Sequence, residues 1–83
     1  MSRILIIEDE KSLSRFVELE LQHEGYETEV QFNGRTGLEA ALNKNFDAIL
    51  LDLMLPELNG IEVCRRVREA KTTCLLYTSD AAA

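Results

Sequence analysis

Two uninterrupted apolar runs end on acids. Ile4-Leu5-Ile6-Ile7 leads into Glu8-Asp9-Glu10, and Ala48-Ile49-Leu50-Leu51 leads into Asp52. Short runs of branched aliphatic residues without polar alternation predict strands covered on both faces, over residues 3–8 and 46–52. Between them the period changes. From Ser12 to Glu24, Leu13, Phe16, Val17 and Leu21 recur at helical spacing, with Arg15, Glu18, Gln22 and Glu24 on the opposite side, which predicts a helix. Gly25 is placed to end it, because glycine accepts the left-handed conformation after a last turn. Residues 26–32 alternate, with Tyr26, Thr28, Val30 and Phe32 on one side and Glu27, Glu29 and Gln31 between them. That pattern predicts a half-buried strand at a sheet edge. Asn33-Gly34 reads as a turn, ahead of a short helix to about Asn43 that directs Leu38, Ala41 and Leu42 inward. Pro56 and Gly60 punctuate the loop after the third strand. Ile61 to Ala70 predicts a third helix with Ile61, Cys64 and Val67 on one face, and Leu75 to Thr78 a fourth strand.

Strands alternating with helices imply an α/β fold with a mostly parallel, doubly wound sheet. A flavodoxin-like strand order of 2-1-3-4 puts the first and third strands side by side, at the reversal where ligands bind outside the carboxyl ends. Right-handed crossovers leave few other arrangements. These are the two strands that end in acids, so Glu8, Asp9 and Asp52 are expected to meet through topology. Like charges so close call for a divalent cation. Mg2+ suits them, since it takes hard oxygen ligands and keeps positions open for water and a phosphoryl oxygen. Asp52 could then attack phosphorus to form an acyl phosphate. Taken singly, each acid is equally an ordinary strand terminus or a charge favoured by a helix N-terminus. His23, alone and late in its helix, reads as a surface residue, and Tyr26, Phe32 and Phe46 as packing aromatics.

Composition narrows the function classes. Eighty-three residues allow one small domain, of marginal stability at this size. Nine basic against fifteen acidic residues give a net charge of −6, which argues against nucleic-acid binding by this segment. Arg65, Arg66, Arg68 and Lys71 read as a solvated helix face. The two cysteines, Cys64 and Cys74, make neither a disulfide framework nor a metal site and fit a reducing compartment. The N-terminus is neither a signal peptide nor a membrane span, so a cytoplasmic protein that binds no membrane is expected.

The strings ILIIEDE (Ile4 to Glu10) and LDLMLPELNG (Leu51 to Gly60), about 40 residues apart, resemble the receiver domain of two-component response regulators. The Glu-Asp form with DLMLP resembles the OmpR-type subgroup. The resemblance covers residues 1–73 and implies a CheY-like fold. It implies that Asp52 is the phosphorylated aspartate, Asp9 a direct Mg2+ ligand, and Glu8 the acid that holds a metal-bound water. Met54 matches the position whose main-chain carbonyl binds the metal, and Pro56 and Gly60 the loop that shapes this edge. The implied phosphoryl donor is a phosphohistidine on a sensor histidine kinase. The domain would be a phosphoacceptor rather than a turnover enzyme, and the parent protein a transcriptional regulator that binds DNA through a separate domain. Other uses of the same acids are a phosphatase of the haloacid-dehalogenase type, a pseudo-receiver that only binds, and an inactive fragment. The first is disfavoured because the first strand ends Glu-Asp-Glu instead of Asp-x-Asp.

The family pattern also extends further than the chain. The fourth helix, fifth strand and fifth helix are expected to be missing, with the lysine that pairs with the phosphoryl group, the aromatic switch residue and the dimerisation face. Residues 74–83 look foreign: CLLYTSDAA resembles the translation of a transposon adapter used in sequencing libraries. Within that tail Ser79 falls where the family has its switch hydroxyl. A piece so truncated is expected to bare apolar sheet and to aggregate or unfold in part.

Overall fold

The computed structural model describes residues 2–53, 55, 59–69 and 73–77. They form β1 (Arg3–Ile7), α1 (Lys11–His23), β2 (Glu27–Gln31), α2 (Gly34–Asn43), β3 (Ala48–Asp52), α3 (Gly60–Glu69) and β4 (Thr73–Tyr77). The strands make one sheet in the order β2-β1-β3-β4, and every pairing is parallel. The doubly wound arrangement expected from the alternation is therefore present. β1 and β3 are the central pair, with Ile4 opposite Ala48 and Ile7 opposite Leu51.

The two faces of the sheet are covered unequally. Leu5, Ile7, Ile49, Leu51 and Cys74 point to one side, where they pack with Ala40 and Ala41 of α2, Val63, Cys64 and Val67 of α3, and Phe46 and Leu55. All of these are at most 9% exposed, so this side is the core. Successive strand residues face opposite ways, which sends Ile4, Ile6 and Leu50 to the side that carries α1. Ile4 and Ile6 are buried, but Leu75 on β4 is 51% exposed and Phe16 on α1 61%. Among the described residues α1 is the one helix on this side, and it packs on β1 and β2. That explains why Phe16, read from its spacing as inward, lies open. Leu42 and Ile61, also read as inward, are exposed because α2 and α3 bury only narrow stripes against the sheet.

Local signals set the element ends. Gly25 adopts φ 94° after α1. Its N–H donates to the Gln22 carbonyl at 3.0 Å, and the Tyr26 N–H reaches the Leu21 carbonyl at 3.1 Å. This paired closure satisfies carbonyls that the helix leaves open. Asn33, expected in a turn, is instead the N-cap of α2: its Oδ1 accepts the Thr36 N–H at 2.9 Å. Asn59 does the same for α3, accepting from Ile61 at 3.1 Å and Glu62 at 3.2 Å. In both cases Asn-Gly opens a helix. Within α2, Gly37 is needed for close approach, since a Cβ there would lie 2.7 Å from the Ile7 side chain.

β2 lies at the edge, as its alternation indicated, but its inward and outward sides do not differ sharply in burial. Tyr26 and Phe32 are 40% and 46% exposed, so neither is a core aromatic. The cysteines are the clear correction. Cys64 and Cys74 form a disulfide, because the β3–β4 register places Cys74 opposite Ile49 and beneath α3. Arg65, Arg66 and Arg68 are exposed, as a solvated face requires. Arg65 and Arg66 pair with Glu62, and Arg68 Nη2 donates to the Cys74 carbonyl at 2.8 Å.

Candidate functional site

β1 and β3 end together at one rim of the sheet. Beyond Ile7 the chain continues as Glu8-Asp9, and β3 finishes on Asp52 itself. One carboxylate oxygen from each of Glu8, Asp9 and Asp52 lies within 4.8 Å of the other two. The three acids selected from the sequence are thus brought together, by strand order and register and not by chain proximity. Glu8 and Asp52 are buried, at 0% and 1% exposure, while Asp9 is exposed. The apolar strand residues that precede them supply the cover.

Backbone N–H groups hold the rim. The Glu8 N–H donates to the Gln31 carbonyl at 3.1 Å, which ties the end of β1 to β2. The Glu8 carboxylate accepts the Glu10 N–H at 3.0 Å and is held inward over the start of α1. The Asp52 carbonyl accepts the Leu55 N–H at 3.4 Å, which closes the first turn of the following loop. Glu10, the third acid of the run, accepts the Ser12 hydroxyl at 3.2 Å and belongs to the start of α1. Met54, Pro56 and Ser79 lie outside the described residues; Gly60 begins α3.

The donor set fits a small hard cation. Octahedral Mg2+ with oxygens at about 2.1 Å spreads opposite ligands by about 4.2 Å. A trio of carboxylate oxygens spanning no more than 4.8 Å matches that spread, with slack for one acid to act through a water. Beside Asp9 an open groove of about 870 Å³ runs past Phe32, Arg35, Leu38, Leu42 and Leu55. Sequence reasoning missed this groove, since its walls come from Asp9 after β1, from the stretch between Phe32 and Asn43, and from Leu55 after β3, and share no linear pattern. It also missed the capping role of Asn59, whose signal was Asn-Gly directly ahead of an apolar helical run.

The family model for the response regulator receiver domain matches residues 4–83. The chain belongs to the response regulator receiver family. Response regulator ArlR of Staphylococcus saprophyticus is 53% identical over 76 residues, which is 92% of this chain and 34% of that protein. The likeness to ArlR and CovR regulators of Gram-positive bacteria, carried by the two acid-ended motifs, is met on the ArlR side. The receiver chain therefore spans about a third of the length of the curated relatives it matches. Among solved structures, response regulator TrrA of Thermotoga maritima in complex with Mg2+-BeF is 33% identical. It superposes with a TM-score of 0.82 over 94% of this chain and 68% of that one. TrrA in complex with the histidine kinase ThkA gives a TM-score of 0.85 at 33% identity, over 95% of this chain and 70% of that one. No helix among the described residues is long and apolar enough to cross a membrane.

Proposed function

We propose that Asp52 accepts a phosphoryl group from a phosphohistidine on a sensor histidine kinase, in a site that holds Mg2+. The observation that carries this is the convergence of Glu8, Asp9 and Asp52 oxygens within 4.8 Å at the rim of β1 and β3. Asp9 and Asp52 would bind the ion directly, Glu8 would hold a bound water, and the Met54 carbonyl would complete the protein's share. When bound, Mg2+ supplies positive charge that offsets the charge on the phosphoryl oxygens.

The chain's own residues do the rest. A carboxylate oxygen of Asp52 attacks phosphorus, the P–N bond to the imidazole breaks, and the departing ring nitrogen takes a proton. Glu8, fixed by the Glu10 N–H, positions the water side of the ion. The product stays on the chain, so the domain is a phosphoacceptor and not a turnover enzyme. The Mg2+-BeF bound to TrrA and the kinase bound in its ThkA complex support the same ion and the same class of partner here. Family membership sets aside the phosphatase reading of the carboxylate nucleophile.

The parent protein is a transcriptional regulator of the ArlR kind, acting in the cytoplasm and contacting DNA through parts that this segment does not contain. The net charge of −6 suits this segment to signalling and not to phosphate-backbone contact. Residues 74–83 are a foreign tail on the grounds of the CLLYTSDAA string; reading the genomic codons after Thr73 tests this. For the site itself, the chain is incubated with Mg2+ and phosphoramidate. A base-labile phosphate should appear by mass spectrometry and be lost in Asp52→Asn. Label that persists in that variant places the acceptor elsewhere.

A further inference from the structure

The groove beside Asp9 holds about 870 Å³, a size that suits a small organic ligand. Phe32, Leu38, Leu42 and Leu55 make its apolar wall. Phe32 and Leu42 are both exposed, so two large apolar side chains stand open along it and gain burial from a ligand with an apolar body. The charged groups are ordered from one end to the other. At the strand rim stand Asp9, a member of the acid trio, and Arg35 in the first turn of α2. Lys11 adds a second cation at this end, with its Nζ 5.6 Å from the centre of the Phe32 ring. Among the described residues neither Arg35 nor Lys11 enters an ion pair. Glu39 lies a turn further along α2, away from the rim.

This order selects an amphipathic anion and sets which way it lies. With Mg2+ bound at the acids as proposed, Arg35 and Lys11 leave the rim with net positive charge, which attracts the anionic head. Glu39 repels that head from the other end, so the apolar body lies along Leu38 and Leu42. From Arg35 to Leu42 the helix axis advances about 10 Å, enough for one aromatic ring that carries a phosphorylated carboxyl group. We infer that the groove binds acyl phosphates with an aromatic body and presents their phosphoryl group to Asp52, an assignment that rests on Asp52 being the phosphoacceptor. A carboxylate oxygen of Asp52 attacks phosphorus, and the bond from phosphorus to the acyl oxygen breaks. The electron pair of that bond leaves on the released aromatic carboxylate, so no proton moves and nothing is oxidised or reduced. This donor class needs no partner protein, and its recognition uses side chains that the transfer from phosphohistidine does not require.

Binding and transfer are tested separately on the whole chain in Mg2+. Phenylphosphonate has a P–C bond and cannot pass its group on, so it reports binding alone. In NMR titrations it should shift the signals of Phe32, Leu38 and Leu42 and bind about tenfold or more tighter than methylphosphonate. Leu42→Asn should erase that difference, and Arg35→Gln should weaken both phosphonates. Leu42 and Arg35 are exposed, so the fold tolerates both changes, and the wild-type comparison stands without either variant. For transfer, benzoyl phosphate should label Asp52, read by mass spectrometry, at a half-saturating concentration about tenfold or more below that of acetyl phosphate. In Leu42→Asn the two donors should become equal. Equal affinity for the two phosphonates, shifts confined to residues outside the groove, or equal half-saturation by the two donors in the wild-type chain would overturn the groove assignment. Phenylphosphonate seated in the groove with no label from any donor would instead overturn Asp52 as acceptor, and the transfer step with it.

Discussion

Ile7 and Leu51 stand opposite each other in register on neighbouring parallel strands, and the residue after each is an acid. Because the strands run the same way, Glu8 and Asp52 leave the sheet at the same rim, with Asp9 one residue further on. A slip of one residue would send one of them to the other face. Apolar packing at Ile7 and Leu51, both fully buried, thus fixes the spacing of groups that repel each other.

Removing charge at this rim should weaken cation binding in graded fashion. In Mg2+ titrations followed by NMR, Asp9→Asn is expected to lower affinity by more than about tenfold, as loss of a direct hard ligand. Glu8→Gln should cost about tenfold, as loss of a group acting through water. Mg2+ should raise the melting temperature of the wild-type chain, since it binds the folded state alone, and Asp52→Asn should shrink that rise. An Asp9→Asn chain that binds Mg2+ as well as wild type would break the ligand assignment.

Gly37→Ala is expected to destabilise the domain by about 1–3 kcal/mol in urea unfolding, through overpacking. Helix propensity favours alanine by about 1 kcal/mol, but the new Cβ would sit 2.7 Å from Ile7 atoms that include both branches at its Cβ. No rotamer clears both branches. In an Ile7→Ala background the sign should reverse, with Gly37→Ala then stabilising. Additive costs in the double variant would rule out this contact as the reason for glycine.

Asn33→Ala and Asn59→Ala should each cost about 1 kcal/mol, the usual loss on removing a side-chain cap. Asn33→Asp should keep most of the stability, because a carboxylate oxygen can accept the same Thr36 N–H. Chemical denaturation of the three variants distinguishes capping from a loop effect.

Glu29 gives a pH signature. Partial burial pushes its carboxyl up, but the hydrogen bonds from Lys44 and Gln31 and the charges of Lys44 and Arg3 together outweigh this and hold it below its ordinary value. A lowered folded-state pKa stabilises above the unfolded-state value and loses that contribution as pH falls through the folded one. Lys44 Nζ lies 3.0 Å from Glu29 Oε1 with its side chain 52% exposed, so solvent screening limits the pair to about 0.5 kcal/mol. Lys44→Met should therefore lose about that much stability near pH 7 and nothing once Glu29 is protonated. An equal loss at both ends of the pH range would assign the effect to packing of the lysine stem.

Much of this architecture was legible in the residues. The acid-ended runs gave β1 and β3, the helical spacing from Leu13 to Leu21 gave α1, and the alternation around Val30 gave an edge strand. The cluster of Glu8, Asp9 and Asp52 could be read because chirality leaves so few ways to connect parallel strands. What stayed hidden depended on neighbours distant in sequence. Phe16 and Ile61 have apolar spacing but little above them, and periodicity reports which face a helix prefers, not whether anything covers it. Cys74 meets Cys64 only because β4 pairs with β3 in one particular register, which two isolated cysteines cannot reveal. The groove beside Asp9 arises from three separate segments and leaves no trace in any one of them.

The unequal exposure of the acids has a kinetic consequence. Asp9 faces solvent while Glu8 and Asp52 are enclosed, so at the proposed site an arriving ion would meet one anion before the other two and shed its hydration in stages. On the proposed ligand set, Asp9 would govern how fast the ion comes and goes, and the enclosed pair how selectively it is retained. Conservative replacement of the outer residue should alter the speed of loading more than the preference among divalent ions, and change at the inner residues should do the reverse.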